Sequence, residues 1–270
     1  MHFPHFPHGP AQRALLPGKS GCGGGAPRHP FLSLIAIKHH AAVLVFDAAM
    51  TADLSLAALF LFVSHAAPSW PGVRPALIAR LGRAGFIALH SLGSILALAL
   101  FVYAYREAGG GMPLFIPADW AAPLVASLMP VAFLLIVARV TTKFGEAEAP
   151  NPPRGIYRIT RFPGSMGLLL WALLHLQATG DGRRVVLFAT MAAIALFAMV
   201  KNDWVLRRSD AGRAFRAETS ALPFAAILQG RQRFAAGEIG WGRLLGGLVA
   251  YAAMIHIHPL LFGVNPLYWL

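Results

Sequence analysis

Long apolar runs separated by short polar stretches set the pattern of this chain. A helix that crosses a membrane needs roughly 20 mostly apolar residues. Six stretches meet that pattern: about Ala41 or Thr51 to His65, Ala84 to Tyr105, Trp120 to Val140, Gly164 to Thr179, Arg184 to Leu206, and Leu244 to Phe262. The third holds Pro123 near its start and Pro130 inside, where a kink is expected. Ala221 to Leu228 is apolar but too short to span, and reads as an interfacial or re-entrant piece. The pattern therefore predicts an all-α fold, a multi-pass transmembrane bundle of about six helices.

Composition agrees. Hydrophobic residues make up 57% of the 270 residues and charged ones 13%, against about 25% charged in a soluble domain. The chain lacks the polar surface to cover a soluble core, so lipid is the solvent it is built for. Its net charge of +12 adds orientation. Arg74, Arg80 and Arg83 follow the first run. Lys143, Arg154, Arg158 and Arg161 follow the third. Arg207, Arg208, Arg213, Arg216, Arg231 and Arg233 follow the fifth. The alternate loops are poorer in cations, with Arg183 and Arg184 as exceptions. Cations placed between apolar runs indicate topology and anionic lipid headgroups, not nucleic acid. The basic loops are expected in the cytoplasm, and both ends of the bundle outside it. Cys22 is the only cysteine, which excludes an intramolecular disulfide.

Residues 1–49 do not fit the helix count. They are rich in Pro, His and Gly and carry Arg13, Lys19, Arg28 and Lys38. They are expected to be a disordered extension or a mis-assigned start, with the transmembrane domain over residues 50–270. His2, His5 and His8 are given no role.

Several blocks resemble the NnrU family of bacterial membrane proteins, relatives of 15-cis-ζ-carotene isomerase. They are the helix end Leu61–Ser69 with His65, Arg80-Leu-Gly-Arg83, and Tyr103 to Ala108. The most specific runs Tyr157-Arg-Ile-Thr-Arg161-Phe162-Pro163, then Gly167, then Trp171-Ala-Leu-Leu-His175. The C-terminal stretches Thr219–Phe224 and His258–Pro266 complete the resemblance. It implies an integral protein of the bacterial inner membrane, linked to denitrification and nitrogen oxide metabolism or to isomerase-type redox chemistry. It also implies a haem b held by His65 and His175. Arg158 and Arg161 flank the start of the fourth run; their guanidinium forks suit a haem propionate or an anionic headgroup, and positive-inside anchoring is the plainer reading of both. Where the family usually carries His, this chain has Phe162, which neither ligates a metal nor moves a proton.

Imidazole is a standard axial ligand to haem iron. Opposed axial ligands must share one depth, and His175 lies twelve residues beyond Pro163, roughly 18 Å along a helix. His65 stands near the basic end of its own run. A helix-bonded interior polar residue is the plainer reading of each histidine. His90 is placed to face the same interior, and Trp171 to pack in the core. His256 and His258, two apart, do not form a chelating pair. Asp203 and Arg207, at i and i+4, are expected to pair.

Two other functions stay open. One is a membrane methyltransferase-like enzyme, for which the Arg-x-Pro element speaks and the lone Asp210, Phe215 and Glu218 speak against. The other is a non-enzymatic assembly or scaffold protein working with other membrane proteins.

Overall fold

The computed structural model describes residues 52–109, 113–142 and 152–269, so expectations for residues 1–49 lie outside it. The described residues are helical and contain no strand. The helices are α1 (Ala52–Ser69), α2 (Val73–Glu107), α3 (Ala121–Val140), α4 (Ile156–Ile159), α5 (Pro163–Gln177), α6 (Gly182–Leu206), α7 (Asp210–Glu218), α8 (Ala225–Leu228), α9 (Ala236–Ile239) and α10 (Trp241–Phe262). A 3-10 turn, Pro266–Trp269, follows.

Helices α1, α2, α3, α6 and α10 are long and apolar enough to cross a membrane. The expected fourth span is α5, which has only 15 residues and rises about 22 Å. It is an interior helix, packed on α3 and α6. Its entry is set by Pro163 in the first turn, where the missing N–H costs nothing. Gly167 lets it lie close to α3. A Cβ there would stand 2.9 Å from the Ala132 carbonyl oxygen and 2.8 Å from Ile136 Cγ1.

Helix α10 packs on the other side of α3, where Gly247 meets Leu134. Pro130 lies inside α3, which continues through it. Proline has no N–H for the carbonyl four residues back, that of Ala126. The Tyr251 hydroxyl, from α10, donates to that carbonyl at 2.7 Å. A backbone group freed inside an apolar bundle thus finds its partner on a neighbouring helix.

On the α6 side, Leu54, Ala58 and Leu61 of α1 pack with Ala97 and Phe101 of α2 against Val186, Leu187, Met191 and Ile194 of α6. Helix α2 is longer than expected. Its 35 residues would run about 52 Å if straight, well past a bilayer core of about 30 Å. Gly82, at φ 70° and ψ 164°, breaks it. Only glycine adopts that region readily. The short segment before Gly82 carries Arg74 and Arg80, and folds over the rest. The Arg74 guanidinium lies 6.0 Å from the Phe86 ring, twelve residues along.

Many side chains of these helices remain exposed and apolar, among them Leu92, Ile95, Leu245 and Leu260. On five membrane-length helices, that surface faces lipid. The chain is an integral membrane protein.

The expected interfacial piece is α8. The Phe224 N–H, at the α8 entry, donates to the Ile159 carbonyl of α4 at 2.8 Å. Helices α4, α7, α8 and α9 gather at the arginine-rich end, where Ile156, Tyr157, Ile159, Phe215 and Ile239 form one cluster with Leu135 and Ala138 of α3. At the opposite end, Arg183 departs from the charge pattern but is balanced by Asp181 at 3.2 Å. It also donates to the Ala108 carbonyl at 3.0 Å. Asp181 caps α6 through the Arg183 and Arg184 N–H groups. Burial, the largest single effect, pushes its carboxyl up, but those bonds and the Arg183 side chain together outweigh it and hold the carboxyl below the usual range.

Candidate functional site

His65 lies one turn from the end of α1. Its Nδ1 donates to the Leu61 carbonyl at 2.9 Å, which leaves Nε2 without a proton in the neutral ring. Its nearest ring is His90 of α2, at 6.2 Å between centroids. His90 in turn stacks on Phe86 at 5.7 Å, 6° from parallel.

His175 lies near the end of α5. Its Nδ1 donates to the Trp171 carbonyl at 2.8 Å, so Nε2 is again the free nitrogen. The ring stacks on Phe188 at 4.5 Å and meets Trp171 at 4.7 Å. Trp171 is therefore packing, as its spacing implies. His258 of α10 is locked in its own way: its Nδ1 donates to the Val264 carbonyl at 2.8 Å.

Helix α6 serves as a ruler for depth. His175 stacks on its Phe188. Phe62, one turn before His65, packs on its Phe197 at 5.7 Å. Nine residues along a helix are about 13 Å, and His65 lies further still toward the arginine-rich end. The structure thus joins His65 with His90, and His175 with Trp171 and Phe188. It does not bring His65 and His175 to one depth. Among the described residues no three His, Cys, Asp or Glu side chains gather as a metal site.

Arg161 lies in the buried turn between α4 and α5. Its Nε donates to Thr219 Oγ1 at 3.0 Å. Nη2 donates to the carbonyls of Arg216 at 3.0 Å and Thr219 at 2.8 Å. Nη1 bonds Asp203. Asp203 also receives Arg216 at 3.0 Å and the expected Arg207 at 3.1 Å. The guanidinium is occupied by the protein itself, tying the loop before α5 to α6 and α7.

Arg158 is occupied as well. It forks onto Glu238 of α9 at 2.8 Å and 3.0 Å, and the Gly155 N–H joins at 3.0 Å. The Arg158 bonds first, and the Gly155 bond second, lower the Glu238 carboxyl to about 2. Phe162, in the position of the family's usual His, is buried with its ring 5.8 Å from the Arg161 guanidinium. Of the residues weighed for methyl transfer, Phe215 packs on Tyr157 at 6.1 Å, Glu218 accepts from Gln232 at 3.4 Å, and the exposed Asp210 pairs with Arg213.

Sequence reasoning missed the Arg158–Glu238 fork, the Tyr251–Ala126 bond and the meeting of His90 with His65. Each joins residues at least 25 positions apart, and no local spacing announces such a pair.

Comparison with known proteins places these features in context. The family described as NnrU protein matches residues 54–266. The chain is 36% identical over 81 residues to the 15-cis-zeta-carotene isomerase, chloroplastic, of Zea mays, which is 29% of this chain and 22% of that protein. It is 33% identical over 134 residues to the protein of the same name from Arabidopsis thaliana, which is 45% of this chain and 34% of that protein. The matches thus span about a third or less of those relatives. No solved structure matches the chain.

Proposed function

The chain belongs to the NnrU family, and from that premise we propose that it holds a haem in the membrane through His175 and works in redox or isomerase-type chemistry. The observation that carries the reading is the lock on the His175 ring. The Trp171 carbonyl takes Nδ1–H, which fixes the tautomer and raises the basicity of Nε2, the arrangement common to metal-bound imidazoles.

The donor chemistry of His65 fits equally well, since Leu61 holds its Nδ1 in the same way. The shared ligation implied by the family resemblance does not fit this arrangement, because the two rings stand at different depths along α6. The reading assigns the iron to His175 because aromatic rings wall it on two sides. Bound haem supplies a redox-active iron whose behaviour the axial ligand and pocket polarity set. The chain supplies the oriented nitrogen, and Trp171 and Phe188 exclude water from it.

The isomerase named for the two plant relatives acts on a carotene, and an apolar substrate of that class suits a bundle with lipid-facing helices. Placement in the bacterial inner membrane, with the arginine-rich end in the cytoplasm, and a link to nitrogen oxide metabolism complete the proposal. The test is the absorption spectrum of protein purified after expression with haem supply. A Soret band that persists in His65→Ala and disappears in His175→Ala is expected. No band in the wild type refutes the reading.

A further inference from the structure

Helix α5 is too short for the membrane around it. Its 15 residues rise about 22 Å, against a bilayer core of about 30 Å. Its neighbour α6 runs 25 residues, about 37 Å. The turn that joins them, residues 178–181, ends on Asp181, which pairs with Arg183. Charges of that kind are costly inside the core, so this end of α5 lies near the core's edge. The other end therefore stops about 8 Å inside the edge on the arginine-rich side. Any tilt of α5 only increases that shortfall. Whatever is bonded to the turn before α5 shares its depth to within about 5 Å, one strand spacing. Three bonds carry the chain after α7 onto that turn. The Phe224 N–H donates to the Ile159 carbonyl at 2.8 Å, and the Arg161 N–H to the Ser220 carbonyl at 2.7 Å. The Thr160 hydroxyl donates to the Ala221 carbonyl at 2.8 Å. Helix α8 follows directly, so it is held at leaflet depth although it crosses nothing.

Its outward face is apolar. Leu222 is 67% exposed and Leu228 85%, and the Phe224 and Phe234 rings are exposed as well. These side chains form one edge. The Ala225 N–H donates to the Leu222 carbonyl at 3.3 Å and the Leu228 N–H to the Phe224 carbonyl at 2.9 Å, which closes the segment into a turn. The Phe234 ring lies 6.3 Å from that of Phe224. Phe224 takes its place at φ 62°, the one non-glycine residue with positive φ among those described, a strain that persists only where the surroundings impose it. Lipid normally excludes such turns because their backbone groups lack partners. Here every N–H from Ile227 to Gln232 donates to a carbonyl between Phe224 and Ile227, so the edge enters lipid without that cost. Exposed Arg233 and Trp241 flank Phe234 in the chain, and these residue types mark headgroup depth. Helix α7, in the same group of short helices, instead shows Asp210, 98% exposed, with Arg213, as a water-facing surface does.

We propose that Leu222, Phe224, Leu228 and Phe234 form a re-entrant edge immersed in the acyl region of the leaflet at the arginine-rich end, with lipid and not another protein chain as its partner. The edge does not depend on haem, and it holds its place whether or not His175 binds an iron.

The experiment is spin labelling of the full chain, carrying Cys22→Ser, in vesicles of phosphatidylcholine and phosphatidylglycerol. A nitroxide is placed on Leu228→Cys, and its relaxation by oxygen, which concentrates among acyl chains, is compared with that by a nickel chelate, which stays in water. Two labelled variants serve as references. Leu245→Cys lies on the exposed face of α10, four residues from its start and so about 6 Å along it, in the same leaflet. Asp210→Cys lies on α7, in water. The oxygen-to-nickel ratio at Leu228 is expected to stand several-fold above that at Asp210 and to match that at Leu245. A ratio as low as that at Asp210 overturns the proposal, because the edge then faces water. Weak relaxation by both agents overturns it as well, because a protein then covers the edge. Leu222→Cys repeats the measurement at a second exposed position, so that a single misfolded variant does not decide the outcome.

Discussion

Replacing Tyr251 by Phe removes one oxygen atom and leaves its ring packed on Phe133, at 5.7 Å. The consequence depends on a residue it does not touch. Pro130 cannot donate to the Ala126 carbonyl, so the Tyr251 hydroxyl is that carbonyl's donor at 2.7 Å. Without it, a carbonyl facing the apolar bundle is orphaned, at a cost of about 1–3 kcal/mol. Hydrogen bonds between membrane helices average about 0.6 kcal/mol and reach about 1.7, so about 1–2 kcal/mol is expected. Pro130→Ala supplies an N–H at position 130 and lets α3 satisfy Ala126 by itself. In that background the same Tyr251→Phe change should cost about 0.5 kcal/mol or less. The assay is reversible unfolding by dodecyl sulfate in mixed micelles, run as a four-member cycle. The helix-propensity gain of Pro130→Ala cancels in the cycle. Equal Tyr251→Phe costs in both backgrounds, within about 0.3 kcal/mol, would refute the reasoning.

Arg161→Lys keeps the charge but loses the fork. With Thr219 Oγ1 and two carbonyls all bonded to the guanidinium, at least two bonds are lost. The same unfolding assay should read about 2–3 kcal/mol of destabilisation. A variant as stable as wild type would return Arg161 to the role of a free anion-gripping side chain. Glu238 is held at about 2 against an ordinary 4.5. A depressed carboxyl adds stability that is fully present above the unfolded value and is lost as pH falls from about 4.5 through about 2. Thermal midpoints followed across that window should fall less steeply for Glu238→Gln than for wild type.

Much of the bundle is legible in the chain. A run of about 20 apolar residues has one stable form in lipid, so α3, α6 and α10 appear within three residues of where hydropathy places them. Pro163 marks the start of α5, and the i, i+4 spacing gives the Asp203–Arg207 pair. These are local consequences of backbone hydrogen bonding, helix period and side-chain reach.

The site is less legible. His65 and His175 stand out in the sequence as interior histidines, and the helical repeat even warns of unequal depth. Which partner each one meets is set by how α1, α2 and α5 pack on α6 and how α5 packs on α3, and that depends on contacts such as Gly167 on Ala132. Arg161 and Arg158 look available as single residues, and only the folded loops reveal Asp203, Thr219 and Glu238 already holding them.

By itself, then, the sequence determined that this protein is a helical membrane bundle with a basic end and histidines inside, because solvent preference and helix geometry act over a few turns. The tertiary structure alone decided which cations are paired and which imidazoles meet. Those outcomes depend on chain segments brought together across tens of residues, and no local pattern encodes that distance.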